Sequence, residues 1–462
     1  MPEFSDIPGV RADVVDFGTR VSPPPVGQKV IILGVTDAAD VELEEPILIN
    51  RFEDRYQFNL STGVPSELVK MIEEVMSAGA KNVEVMVNSD ASGNRYAESA
   101  VTPATRYSML DRAYELLIHH DADIVVACGT AVDMTGLSSG QSFAYQMANY
   151  CYQSTKEYNS CIGVIGVQPP TAGVATTGNL SLAALKSHVD ALKIFDTSGL
   201  LGIDFPEFDG VTDTIPAPSG DGKPDTFAFW ATTDENMPTG SPPYDAANVV
   251  LDVKDDPIDI GGYISVVSTW CRYRNSAAQR LYPTVGYYNA CGVGSYAGMI
   301  PRLPPQVATT NQVVPGAEPL RTPSAVQVNE LCGARYVTFW TRPKGFVVAS
   351  GVTGAHNIDD YHKSDFVRLS TMRITQEVVA MIRLAADPFI GQPNNAETRS
   401  ALENAIDRAL GKEQNEGALE GFEFSLLSTP TMRVLGQVIV DCKIVPAFEI
   451  TDIRVKVGLS AA

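Results

Sequence analysis

Two short runs and a few single residues have the types and spacing that could do chemistry. Gly136-Leu137-Ser138-Ser139-Gly140 satisfies the GxSxG pattern of a nucleophile elbow, in which Ser138 would attack a carbonyl with a histidine as base. The elbow needs a strand that ends directly at the serine, whereas the apolar run Ile124 to Cys128 stops about ten residues earlier. The candidate bases His188, His356 and His362 have no surrounding signature, so a Ser/Gly loop at a helix entry is expected instead. Gly292-Val293-Gly294-Ser295-Tyr296-Ala297 fits the loose GxGxx(G/A) dinucleotide fingerprint. Pro301, Pro304 and Pro305 follow where the pyrophosphate-binding helix should run, which predicts a turn in a loop. Gly411-Lys412 continues with Glu413, so it is not a Walker A sequence. His119 and His120 close an expected helix, where they would complement its last carbonyls.

The seven cysteines, at 128, 151, 161, 271, 291, 332 and 442, are widely spaced and mostly in apolar surroundings. None forms a CxxC pair, so they are expected as buried thiols with no zinc or redox role. A net charge of −21 argues against nucleic acid or an anionic membrane as partner. About half of it is local, because Asp204 to Asp259 holds thirteen acids against Lys223 and Lys254. That region is expected to be a solvated, outward-facing surface. Calcium held by groups such as Asp221 and Asp225 would lack the EF-hand spacing. No cofactor and no metal are expected.

The elements that would position these residues are of mixed type. With 462 residues, 44% apolar and 19% charged, the chain is a globular one too long for a single ordinary core. No apolar run approaches bilayer-spanning length, and direct membrane insertion is not expected. Met1 to Gly9 carries acids where a signal peptide has a basic region, so folding in a cytoplasm is expected. Residues 1–25 read as an extended arm: Val10, Val14, Val15 and Phe17 are apolar among polar neighbours, and Pro23-Pro24-Pro25 stiffens the exit. Residues 26–170 alternate strand and helix. Strands are expected at Val30–Val35, Pro46–Asn50, Val83–Val87, Ile124–Cys128 and Cys161–Val167, with helices at Pro65–Ala78, Tyr107–His119 and Ser142–Gln153. This order implies a helix-covered sheet with some parallel pairing. Residues 171–260 are punctuated by Pro, Gly and Asp and read as an inserted outer region. Residues 261–345 complete the middle domain, with strands at Ile264–Cys271 and Ala334–Trp340.

From Phe366 onward the pattern is clearest. Between Asp365, an expected N-cap, and Asp387-Pro388, the residues Met372, Val378, Val379, Ile382, Ala385 and Ala386 share a helical face. Asn394, with Glu397 three residues on, would cap a second helix with Leu402, Ala405, Ile406, Ala409 and Leu410 inward, stopped by Gly411. The period then changes to two. Phe422, Phe424 and Leu426 line one strand; Val438, Val440, Cys442 and Ile444 a second; Ile453, Val455, Val457 and Leu459 a third, close to the chain end. Such a terminal strand must close its own sheet or add to a neighbour's.

This order, with Asp387-Pro388-Phe389 between the helices, Gly417 to Phe424 after them, and Pro446-Ala447 before the last strand, resembles the C-terminal domain of the contractile tail sheath proteins of myovirus-type bacteriophages. These are related to the sheaths of pyocins and other contractile injection systems. The resemblance implies a multidomain chain of α/β and α+β type. An inner α+β domain, 346–446, would hold two helices and a sheet of three to four strands completed by neighbours' arms, with the outer α/β parts inserted before it and 447–462 as the C-terminal arm. It implies a non-enzymatic subunit that stacks in hexameric rings around a tail tube and contracts to drive the tube through the host envelope. Implied partners are further copies of the chain, the tail tube protein, and baseplate and tail terminator proteins. The implied location is the virion, after assembly in the bacterial host cytoplasm. The arms Val10–Phe17 and Ile453–Leu459 would add strands to a receiving sheet containing Phe422, Phe424, Leu426, Val438, Val440 and Ile444. The second C-terminal helix would meet the tube through Glu403 and Asp407, with Arg399 and Arg408 at the margins. Two other classes fit parts of the sequence: a non-contractile shell or filament protein assembling through terminal strands, and an α/β hydrolase using Ser138.

Overall fold

The computed structural model describes residues 29–137, 141–157, 159–199, 260–355, 365–434 and 436–449. In chain order, β1 (Lys29–Gly34) leads to β2 (Ile47–Leu48), α1 (Glu67–Ala78), β3 (Asn82–Val87), α2 (Pro103–Leu117), β4 (Ile124–Ala127), α3 (Phe143–Glu157), β5 (Ile162–Gly166) and α4 (Leu182–Gly199). Next come β6 (Ile264–Val267), β7 (Trp270–Tyr273), α5 (Ser276–Leu281), β8 (Tyr288–Cys291), α6 (Val293–Met299), β9 (Ala317–Pro319), α7 (Ala325–Gly333), β10 (Tyr336–Val337), β11 (Phe339–Arg342) and β12 (Gly345–Val348). The last part holds α8 (Leu369–Ala386), α9 (Ala396–Asn415), β13 (Leu419–Leu427), α10 (Pro430–Val434) and β14 (Ile439–Pro446).

The chain is mixed α/β with several sheets. Its body is organised by seven strands in the order β10-β6-β5-β4-β1-β3-β2. All pairings are parallel except that of the edge strand β2 with β3. Val30 and Ile32 enter one apolar cluster, Ile31 and Leu33 another on the opposite face, and all four are wholly buried. A strand covered on both faces must be apolar throughout, which is why these strands read as continuous runs instead of alternating ones. Tyr114, Phe143, Met147 and Leu185 of α2, α3 and α4 cover one face. Leu68, Ile72 and Val75 of α1, with Tyr296 of α6, cover the other.

Several expectations need correction. The glycine run at 292–297 is not a loop: Val293–Met299 is a helix, buried along its whole length. Pro301 stands in the 3-10 turn Ile300–Arg302 beyond the helix, so it ends the helix without preventing it. The glycines serve packing. A Cβ on Gly294 would lie 2.6 Å from the Glu74 Cβ, and one on Gly298 would lie 2.1 Å from the Val75 carbonyl oxygen. Only glycine lets α6 approach α1 so closely.

Ile264–Cys271 and Ala334–Trp340 are each two strands in different sheets. β6 and β10 stay in the seven-stranded sheet, while β7 pairs with β8 and β9, and β11 with β12. Both chains leave the large sheet side by side. There the Ser268 and Thr338 hydroxyls lie 2.9 Å apart, and Thr269 Oγ1 accepts from the Phe339 N–H at 2.8 Å. Hydroxyls thus satisfy backbone and each other where ladder bonds end. The stretch 171–260, read as an inserted outer region punctuated by Pro, Gly and Asp, contains α4, with Leu185, Val189 and Leu192 buried. Helix α2 ends at Leu117, and His120 contacts the Glu84 carboxylate of β3 instead of the helix carbonyls.

Candidate assembly site

Helix α8 joins the body to the C-terminal hairpin. It begins at Leu369 with Arg368 as the N-cap residue, while Asp365, expected in that role, lies in a preceding 3-10 turn. Its apolar side chains enter all three hydrophobic clusters of the described residues. Leu369 belongs to the cluster that holds the buried residues of α1 and α6, Met372 and Val379 to the one that holds those of α3, and Ile374 and Val378 to that of the C-terminal unit. Polar side chains then pin it to body carbonyls. Arg373 donates to the Leu303 carbonyl at 2.7 Å, and Gln376 Nε2 to that of Cys161 at 2.6 Å. The Gln376 carbonyl in turn accepts from Ser160 Oγ at 2.8 Å. Arg383 donates to the carbonyls of Thr155 and Lys156 at 2.6 and 2.7 Å, which caps the C-terminal end of α3. Desolvation brings the buried Arg373 down to about 10. Burial pushes Glu377, one turn on, up to about 8, with the Arg373 charge opposing the shift.

Helix α9 is capped by Asn395, whose Oδ1 accepts from the Thr398 N–H at 2.8 Å. The expected box of Asn394 and Glu397 does not form, and Asn394 Oδ1 accepts from Arg399 at 3.0 Å. Nor does Gly411 stop the helix, which runs to Asn415 because Leu402, Ile406, Leu410 and Glu413 continue one buried stripe past it. Glu403, Asp407 and Arg408 lie exposed on the outward side, and Arg399 is half-buried.

The strands β13 and β14 form an antiparallel pair in the register Phe422↔Ile444, Phe424↔Cys442 and Leu426↔Val440. The period-two reading thus places these six side chains on one face. There they pack, with Val438, on Ile374, Val378, Leu402, Ile406 and Leu410 of the two helices. Phe422, Phe424 and Leu426 remain only half-buried, since among the described residues no third strand joins this sheet. The outer face pairs Glu423 with Lys443 and Leu427 with Ile439. Leu427, Ile439, Val445 and Phe448 stay about half exposed, at 49, 50, 48 and 56%. Reading the sequence for periodicity missed these outward apolar residues and the three pins on α8. The pins left one signal: polar residues interrupting a helical face that is otherwise apolar.

The arm residues Val10, Val14, Val15, Phe17, Ile453, Val455, Val457 and Leu459 lie outside the described residues. So do Ser138, His356, His362, Asp221 and Asp225. His188 is on α4, where burial lowers its pKa to about 4 and its Nε2 has no hydrogen-bond partner. All seven cysteines are free thiols, five buried and two half-buried, and burial pushes Cys291 and Cys442 up to about 12. Among the described residues no three His, Cys, Asp or Glu side chains converge as a metal site. No described helix is long and apolar enough to cross a membrane.

No protein-family model and no curated protein matches the sequence. Solved structures do match the fold. Over 99% of this chain and 99% of the other, it superimposes on a chain of the helical sheath of the anti-feeding prophage in the contracted state, with a TM-score of 0.57 and 11% identity. A chain from the baseplate of the same prophage gives a TM-score of 0.57 at 12% identity, covering 98% of this chain and 99% of that one. A chain of the contracted sheath complex of PVC, an extracellular contractile injection system, gives 0.54 at 13% identity, covering 99% and 98%. The fold is that of the sheath proteins of contractile injection systems.

Proposed function

We propose that the chain is the subunit of a contractile sheath, with a structural and not an enzymatic role. The observation that carries this reading is the likeness of fold along essentially the whole length of both chains. In this reading, subunits stack as hexameric rings around a tail tube in a phage-like particle, and contraction drives the tube through the host envelope. The energy comes from better subunit contacts in the contracted lattice, a packing change between two states with no nucleotide consumed.

The hairpin supports a specific mode of assembly. Two strands whose outer edges have no partner among the described residues, with a half-buried aromatic row, favour strand addition, which pairs backbone groups and covers the row. In our proposal the donors are Val10–Phe17 and Ile453–Leu459 of neighbouring subunits, and residues 1–25 and 447–462 act as the tethers. The exposed face of α9, with Glu403, Asp407 and Arg408, meets the tube. Baseplate and terminator proteins bound the polymer. Electron microscopy of the purified full chain tests the reading: hollow tubes are expected, and monodisperse single subunits at high concentration would overturn it.

A further inference from the structure

Two of the free thiols meet inside the body. Cys151 lies in α3, Cys161 is the residue before β5, both are wholly buried, and their sulfurs stand 3.6 Å apart. The sulfurs of Cys128, Cys271 and Cys291 face backbone carbonyls instead, those of Glu67, Thr269 and Val267. Sulfurs in van der Waals contact reach the roughly 2.05 Å of a disulfide by rotating their side chains toward each other.

The backbone on both sides is held in place. The Asn159 N–H donates to the Ser154 carbonyl at 2.8 Å, and Ser154 Oγ donates to the Asn159 carbonyl at 3.0 Å, which closes the turn between helix and strand. The Cys161 N–H donates to Thr155 Oγ1 at 3.2 Å, and Gln376 Nε2 of α8 holds the Cys161 carbonyl. The fold therefore presents the two thiols to each other. The turn also reaches the surface, since Lys156, Asn159 and Ser160 are half-buried and Cys161 follows directly. Burial holds the Cys161 thiol well above the ordinary thiol range, so its thiolate forms when this turn opens.

We propose that Cys151 and Cys161 form a native disulfide when the chain meets a small-molecule disulfide as oxidant. One cysteine thiol loses its proton and attacks the oxidant, whose first half leaves as a thiolate and takes up a proton; the second, deprotonated in turn, attacks the mixed disulfide and expels the other half. The two cysteines lose two electrons and two protons, and the oxidant gains them as it becomes two thiols. The second step outruns attack by dissolved thiols, because the local concentration of the partner sulfur is set by the chain. A reducing compartment keeps the pair open. The bridge ties α3 to the start of β5 across the turn whose carbonyls Gln376 and Arg383 grip.

The test incubates the reduced, folded full chain with oxidised glutathione. A mass loss of about 2 Da is expected, restored by dithiothreitol, with the far-ultraviolet circular dichroism unchanged. Lys156 separates the two cysteines, so a tryptic digest made without reductant should join the peptide that holds Cys151 to the one that holds Cys161. Cys151→Ala should remove this joined pair although the same peptide still carries Cys128. Fragmentation of the wild-type pair assigns its sulfurs even if that variant does not fold. A folded chain that keeps both thiols, ends with glutathione on Cys151 or Cys161, bridges either of them to another cysteine, or closes the bridge only after losing its ellipticity overturns the proposal.

Discussion

The body and the C-terminal unit both set helices against a sheet, yet among the described residues only the body closes on itself. In the body, Val30 to Leu33 are wholly buried between two helical layers. In the C-terminal unit, a two-stranded pair rests on two helices around eight buried residues, with Leu427, Ile439 and Val445 facing outward. A lone hairpin is marginal in water. This one is supported by α8, which the body anchors through Arg373, Gln376 and Arg383. The contrast accords with our proposal that the C-terminal unit receives strands from neighbouring copies.

The largest effect should come from removing what the hairpin edges are proposed to receive. Deleting 450–462 keeps Glu449 paired with Arg368. It should leave the melting transition of the body in place and abolish continuous tubes in electron micrographs, as should deleting 1–20. Normal tubes from both truncations would end the arm hypothesis. A change within the body should act on stability instead. Gly298→Leu forces a side chain into the Val75 carbonyl and is expected to cost about 3 kcal/mol or more, read as a lower denaturant midpoint. An unshifted midpoint would mean α6 can move off α1 freely.

The same helix contact has a pH signature. Glu74 is wholly buried, Tyr288 donates to its Oε1 at 2.8 Å, and burial pushes its pKa from 4.5 to about 8. Because the folded value is raised, the unfolded chain ionises first. The Glu74 contribution is therefore lost as pH rises from about 4.5 to about 8, on the order of a few kcal/mol. Glu74→Gln should shrink the slope in denaturation curves measured across that window, leaving the share of Glu377, and a slope equal to wild type would refute it. Arg383→Met, which uncaps α3, should cost about 2 kcal/mol and split the calorimetric transition, with the C-terminal unit melting first. One unsplit transition would place the coupling elsewhere on α8. The smallest effect on folding, within about 0.5 kcal/mol, is expected for lysine at Glu403 and Asp407, both exposed. Sheath association with the tube should weaken while tube-free polymers persist; unchanged tube binding would remove α9 from that interface.

The two regions also differ in how legible they were. The hairpin is half covered, so its alternation survives in the sequence and shows which residues of each strand share a face, while the register that pairs Phe422 with Ile444 comes from the structure. In the body, strands buried on both faces do not alternate, and where β6 passes into β7 only Ser268-Thr269, with no glycine or proline, marks the change of sheet. Helix α6 was hidden for the opposite reason. Pro301, Pro304 and Pro305 close behind it predicted a loop, and the value of its glycines lies in contact with Glu74 and Val75, which are remote in sequence. Gly411 misled in the same way: a glycine costs a helix about 1 kcal/mol, which the buried Ile406, Leu410 and Glu413 outweigh. Helix α4 was legible in principle, since Leu185, Val189 and Leu192 keep helical spacing, but the Pro- and Gly-rich stretches around it masked the period.

The course of α8 through three cores has a mechanical consequence. A helix is stiff along its axis, and this one is gripped along much of its length by close-packed side chains and by bonds to body carbonyls, with no glycine or proline between Leu369 and Ala386 to act as a joint. A pull on β13 or β14 is therefore delivered as torque to the seven-stranded sheet with little slack. Compliance, in an array of such units, is left to the contacts between them.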